Sequence, residues 1–181
     1  MQFQGVVGPT DMHRMLLLVA GFAGLLMAPV WAQTKVGDWT VEKRPKDTHC
    51  NVSRGYKDKE DDNHDYGIVF TYSMDRIVIV LIYDGWEWEK TGEILEAEFS
   101  TDKTDIMKKS KWEVMDKITV RGVFEFDKSI LEAMSKAKRL HVDFDDDDDD
   151  EDDEDNNSIE IETPRAAEAL AALKFCEENR K

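Results

Sequence analysis

Ile77-Val78-Ile79-Val80-Leu81-Ile82-Tyr83 is an unbroken apolar run, closed by the turn signal Asp84-Gly85. Seven β-branched and aromatic-rich residues between turns are too short for a buried helix and suit a strand. With no polar residue to mark a solvent side, the run predicts a strand buried on both faces. On its N-terminal side, Gly67-Ile68-Val69-Phe70-Thr71-Tyr72 has the same character, and Ser73-Met74-Asp75 supplies the turn between them. That pair predicts an antiparallel hairpin at the centre of the chain.

Further strands are predicted in both directions. Upstream, Val36-Gly37-Asp38-Trp39-Thr40-Val41-Glu42 reads as a turn leading into a strand, and Cys50 to Tyr56 as a second short one. Downstream, Trp86-Glu87-Trp88-Glu89 alternates apolar and polar, the pattern of a strand with one buried face. Ile94 to Phe99 and Lys111 to Val114 follow, and Ile118, Val120, Gly122, Phe124 and Phe126 fall two apart along another strand. Ser129 with Glu132 forms a capping-box signature, and Ile130, Ala133, Met134, Ala137 and Leu140 continue at helical spacing. Thr163 as N-cap and Pro164 at the first position announce a last helix, with Ala166, Ala169, Leu170, Leu173 and Cys176 on one face. His141 to Phe144 and Ser158 to Glu162 read as a strand pair. The fold class predicted is α+β, an antiparallel β-rich domain with two helices towards the C-terminus.

The 181 residues carry 24 basic and 40 acidic side chains, a formal charge of −16. The run Asp145, Asp146, Asp147, Asp148, Asp149, Asp150, Glu151, Asp152, Asp153, Glu154 and Asp155 supplies −11 of it, leaving an ordinary −5. Such a balance excludes nucleic acid, which needs a basic surface, and equally an anionic membrane face. Eleven adjacent carboxylates repel one another and bury nothing, so the run reads as a solvated loop joining the last two strands. It offers oxygen ligands for weak, diffuse association of Ca²⁺, but no glycine to fold them inward into a tight site.

Residues 1–32 read as an export signal: His13 and Arg14, an apolar stretch from Met15 to Trp31, then Ala32 with Val30 two residues before it. Initiation at Met12 or Met15 gives a more conventional signal. Cleavage after Ala32 leaves a single domain from Gln33 to Lys181, periplasmic or secreted and free of the membrane. In an exported chain, the cysteines Cys50 and Cys176 predict one disulfide, the alternative being two unrelated buried thiols. It closes 127 residues counted inclusively, worth roughly 4 to 5 kcal/mol on the loop-entropy account.

Catalytic signals are few. Asp61, Asn63 and Asp65 start like an EF-hand loop, yet Gly67 comes one position late and Tyr72 stands where a bidentate Glu belongs. His49, His64 and His141 have no ligand partner at helical spacing, and no nucleophile elbow, zinc-protease helix or phosphate-cradling loop is present. No metal site or cofactor is expected. Glu87 and Glu89 are the carboxylates an exported hydrolase with an unrecognised site would use. Trp86 and Trp88, spaced to share a strand face, are either core or a face for a sugar or peptide.

The opening Gly37-Asp38-Trp39-Thr40-Val41, the β-rich body and the closing Ala169-Leu170-Ala171-Ala172-Leu173-Lys174-Phe175-Cys176 together resemble exported proteins of the invasion-associated locus B type. The usual cysteine shortly after the Gly-Asp-Trp opening is Glu42 here. The resemblance implies a periplasmic or cell-surface protein of Gram-negative bacteria, with a host-interaction or envelope role and no established catalysis. The leading expectation is therefore a non-catalytic binding protein. The alternatives are the hydrolase and a cation-binding envelope protein acting through the acidic run.

Overall fold

A computed structural model describes residues 33–44, 46–59, 62–144 and 158–180. Twelve elements follow in order: β1 (Thr34–Val36), β2 (Trp39–Glu42), β3 (Asn51–Lys57), β4 (Asp65–Tyr72), β5 (Arg76–Tyr83), β6 (Ile94–Thr101), β7 (Asp105–Asp116), β8 (Thr119–Glu125), α1 (Lys128–Lys136), β9 (Arg139–Phe144), β10 (Ser158–Glu162) and α2 (Ala166–Glu178). All ten strands join one antiparallel sheet in the order β1-β2-β3-β4-β5-β8-β7-β6-β9-β10. The α+β class and its two late helices are as expected from the sequence.

The sheet is bent. Bulges interrupt the β6–β7 register around Phe99 and the β7–β8 register between Val114 and Asp116, and bulges increase local bend and twist. The curl carries β10 onto the concave side of β3, where the Glu162 amide donates to Tyr56 Oη at 3.0 Å and the Glu162 carbonyl accepts from Arg54 Nη1 at 2.6 Å. Inside lies the core, with Trp39, Val52, Ile68, Ile79, Leu81, Phe99, Trp112, Val120, Leu140, Ile161 and Leu173 at 2% exposure or less. Ser110, a polar residue within it, is satisfied, donating to Ala97 O at 2.7 Å and accepting from Trp112 Nε1 at 2.8 Å. Gly122, opposite Trp112, lets the Phe124 and Trp112 rings lie against the strand backbone, since a Cβ there would sit 2.4 Å from Phe124 Cζ.

Several local expectations are corrected. β5 is buried on one face only: Ile77, Ile79 and Leu81 are inside, whereas Val78, Val80 and Ile82 are half-buried on the convex side. Trp86 to Glu89 forms no ladder, because this stretch crosses from β5 past the β7–β8 turn, with Trp88 N donating to Lys117 O at 3.0 Å. Asp127, not Ser129, caps α1, accepting from Ser129 N at 2.7 Å. Leu140 leaves the helix and is an inward residue of β9. α2 begins at Ala166 after Arg165 at φ 60°, so Thr163 is no N-cap. Thr163 is instead buried and ties the chain to the end of α1, its amide donating to Lys138 O at 2.7 Å and its hydroxyl to Ala137 O at 3.3 Å.

Candidate functional site

Three places in the fold gather the residues on which a function can rest: the disulfide end, an aromatic row, and the convex face of the sheet.

At the disulfide end, Cys50 and Cys176 are bonded, with Cα atoms 6.1 Å apart. α2 lies across β1, β2 and β3. Its apolar stripe of Ala166, Ala169, Leu170 and Leu173 faces the core, and this brings Cys176 to the start of β3. Trp39 Nε1 donates to Pro164 O at 2.7 Å, so the Gly-Asp-Trp opening is fastened to the start of the terminal helix, while the disulfide holds the helix's far end to the start of β3.

The aromatic row runs along one end of the sheet. Tyr56 stacks on Tyr66 at 5.2 Å, Tyr66 meets Tyr83 at 4.8 Å, and Tyr83 meets Trp86 edge-on at 5.6 Å. Trp86 and Trp88 are 5.5 Å apart, and Phe144 closes on both at 5.7 and 5.5 Å. Trp86 is 3% exposed and belongs to the core, while Trp88 is half-buried against it. Neither indole N–H meets an acceptor among the described residues. Arg54, buried at the other end of the row, stands 4.1 Å over the Tyr56 ring. Burial pushes the Tyr56 hydroxyl above its ordinary pKa, only partly offset by the amide of Glu162. Phe144 is also the residue before the acidic run, so two sequence expectations meet there. Residues Asp145 to Asp155 themselves lie outside the described residues.

Near this end His64 Nδ1 lies 2.7 Å from Asp84 Oδ1, which also accepts the Asp65 amide at 2.8 Å. Burial opposes the charge on Asp84, but the Asp65 amide and His64 outweigh it and hold its pKa below the ordinary carboxylate range. Glu87 and Glu89 are exposed on the crossing stretch, not paired on a strand. Asp65 is the first residue of β4, where it pairs with Lys57 at 2.9 Å, and no helices flank it as an EF-hand would require. No group of three or more potential ligands could hold a metal ion among the described residues.

The convex face was not legible as a site. Strand register places Ser53, Val69, Val80 and Arg121 in one row, Thr71, Val78 and Val123 in the next, and Gly55, Gly67 and Ile82 in a third. Val123 is 48% exposed and Phe126, just beyond β8, 40%. Over the Gly55–Gly67 pair the missing side chains leave a groove of about 470 Å³, walled by Ser53, Val69 and Ile82 and ended by the Lys57–Asp65 ion pair. Because neighbouring residues alternate faces, Arg54, Tyr56, Tyr66 and Ile68 present their backbone to this groove and their side chains to the core.

No family model, curated protein or solved structure matches the chain. No helix among the described residues is long and apolar enough to cross a membrane.

Proposed function

We propose that the chain is an exported binding protein, periplasmic or secreted, that works through a surface and not a reaction centre. The observation that carries this reading is the convex sheet face, where Val69, Val78, Val80, Ile82 and Val123 form an apolar field that no element of the described fold covers. A contiguous apolar field left half-buried with no covering layer, and open to solvent at Val123, marks an interaction surface in soluble proteins. Its surroundings suit a protein partner. The centre is apolar and the margin polar, with Arg121 against Glu113, Lys57 against Asp65 and Arg76 against Asp75, the layout of protein–protein interfaces. A groove floored by glycine backbone admits an extended segment carrying one large apolar side chain.

Export is supported by the Cys50–Cys176 bond, since disulfides persist in oxidising compartments. The kinship proposed with invasion-associated locus B proteins is supported by the contact between the two stretches that carry it, Trp39 and the start of the terminal helix.

Intact mass of the exported protein, alkylated without reductant, tests the compartment: a chain beginning at Gln33 with no alkylated cysteine is expected. Val80→Lys tests the surface. It should abolish crosslinking from a photoreactive residue placed at position 123 to its envelope or host partner while thermal unfolding stays within a degree or two. An unchanged crosslink would remove the convex face from the function.

A further inference from the structure

The loop before Cys50 and the end of α2 meet around one imidazole. Arg180 Nη1 lies 2.8 Å from His49 Nδ1 and 2.6 Å from the Thr48 carbonyl. Glu177, a largely buried carboxylate, accepts from Arg180 Nε at 3.1 Å and from the Cys50 amide at 2.5 Å, and its Oε1 is 3.5 Å from the same His49 Nδ1. A guanidinium only donates hydrogen bonds. In this contact His49 Nδ1 is the acceptor, a role that requires the proton on Nε2. A second proton on Nδ1 removes that acceptor and sets an imidazolium against a guanidinium. Glu177 Oε1, 3.5 Å from the same nitrogen, is then the nearest acceptor, reached by a turn of the ring away from Arg180.

We propose that His49 is a pH-dependent latch on the C-terminal segment. Neutral, it holds Arg180 on the Thr48 carbonyl; protonated, it takes Glu177 as partner and Arg180 leaves. The disulfide fixes Cys176, so the exchange frees the Arg180 side chain, loosens the turn after α2 against the bond that Lys43 Nζ still makes to the Arg180 carbonyl at 3.1 Å, and spares the core. The groups facing His49 are Glu177 and Arg180 from the end of α2, with Tyr72, Asp75 and Arg76 lining the same cavity of about 310 Å³ from β4 and the start of β5. Ser73 and Arg76 hold the Asp75 pKa below the carboxylate range. Burial raises that of Tyr72, helped by Glu177 and Glu178. Asp75 therefore stays charged and Tyr72 neutral from pH 5 to 8, the window in which imidazoles ordinarily change charge.

Nitrogen NMR and amide exchange of the full chain at pH 8 and pH 5 test the latch. At pH 8 His49 should show a bare Nδ1 and a protonated Nε2. Between pH 8 and pH 5 the protection of the Asn179 amide, which donates to the Phe175 and Cys176 carbonyls, corrected for the intrinsic exchange rate, should fall several-fold, while that of Leu173 holds. His49→Gln, at a partly exposed position, should fold normally and abolish the step. A protonated Nδ1 at pH 8 overturns the proposal, as does an equal step in His49→Gln.

Discussion

The two faces of β5 are made of the same chemistry and meet different fates. Ile77, Ile79 and Leu81 are at 1% exposure or less, whereas Val78, Val80 and Ile82, one residue out of phase, have only their neighbours in the sheet beside them. The concave face is covered by β10, the helices and the Trp86 crossing; the convex face has no second layer in the described fold. An aliphatic run along a strand thus records that both sides avoid water at some time. It does not record that the chain itself supplies both covers. On this reading the convex face has its cover in another molecule, which the free chain lacks.

The sharpest way to break this comparison is a pair of truncations one residue apart. Ile79→Ala should cost about 2 to 5 kcal/mol, because it removes buried volume and leaves a cavity. Val80→Ala should cost under about 1 kcal/mol, since its side chain already meets solvent. Reversible denaturant unfolding of the two variants checks both. Equal costs would mean that the convex face is packed in the isolated protein as well, with a second copy as the first suspect.

Two glycines sharpen the same contrast with smaller effects. Gly122 faces inward, where an added Cβ would lie 2.4 Å from Phe124 Cζ and 3.0 Å from Trp112 Cε3. Gly122→Ala should therefore cost about 1 to 3 kcal/mol by overpacking. Gly67 faces outward, and its Cβ would lie 3.2 Å from Ile82. The Cβ and Cδ1 of Ile82 must give by a few tenths of an ångström, a cost offset because alanine loses less backbone entropy than glycine by roughly 0.5 to 1 kcal/mol. Gly67→Ala should leave stability near that of the parent while filling the groove and weakening partner binding. Stability lost at position 67 with binding intact would reverse the roles assigned to the two faces.

These positions also show what the sequence could and could not disclose. The strands were legible because β-branched runs and two-residue periodicity are local properties. So was the disulfide, since Cys176 shares the apolar stripe of a helix whose other residues must face the core. The groove was not legible: Gly55 and Gly67 are twelve residues apart, and only the β3–β4 register sets them opposite each other. The row of Tyr56, Tyr66, Tyr83 and Phe144 was missed for the same reason, although each aromatic stands at a strand end. Trp86 to Glu89 misled because alternation is equally the mark of a crossing segment with one buried side. The helix starts were off by two residues because Asp127, Ser129, Thr163 and Pro164 are all acceptable near an N-terminus, and tertiary bonds chose among them.

The smallest expected effect concerns how the concave cover is held. Asp102 accepts the Lys138 amide at 2.8 Å, joining the β6–β7 turn to the end of α1, and Asp127 caps the start of that helix. The Lys138 amide, aided by Lys103, holds the Asp102 pKa below the carboxylate range, and Ser129 does the same for Asp127. A carboxylate whose pKa is depressed by folding stabilises above its unfolded value, near 3.9, and loses that contribution as pH falls through the folded one. Stability should therefore decline below about pH 4 and be flat with respect to these groups above about pH 5. In Asp102→Asn/Asp127→Asn the acid limb should be shallower, whereas Val80→Lys should leave its carboxylate part unchanged. Because both carboxylates are exposed, the effect is modest, and it is read from the slope of melting temperature against pH between 2.5 and 5. A slope unaltered in the double variant would mean that α1 is held over the concave face by packing of Ile130 and Met134 alone.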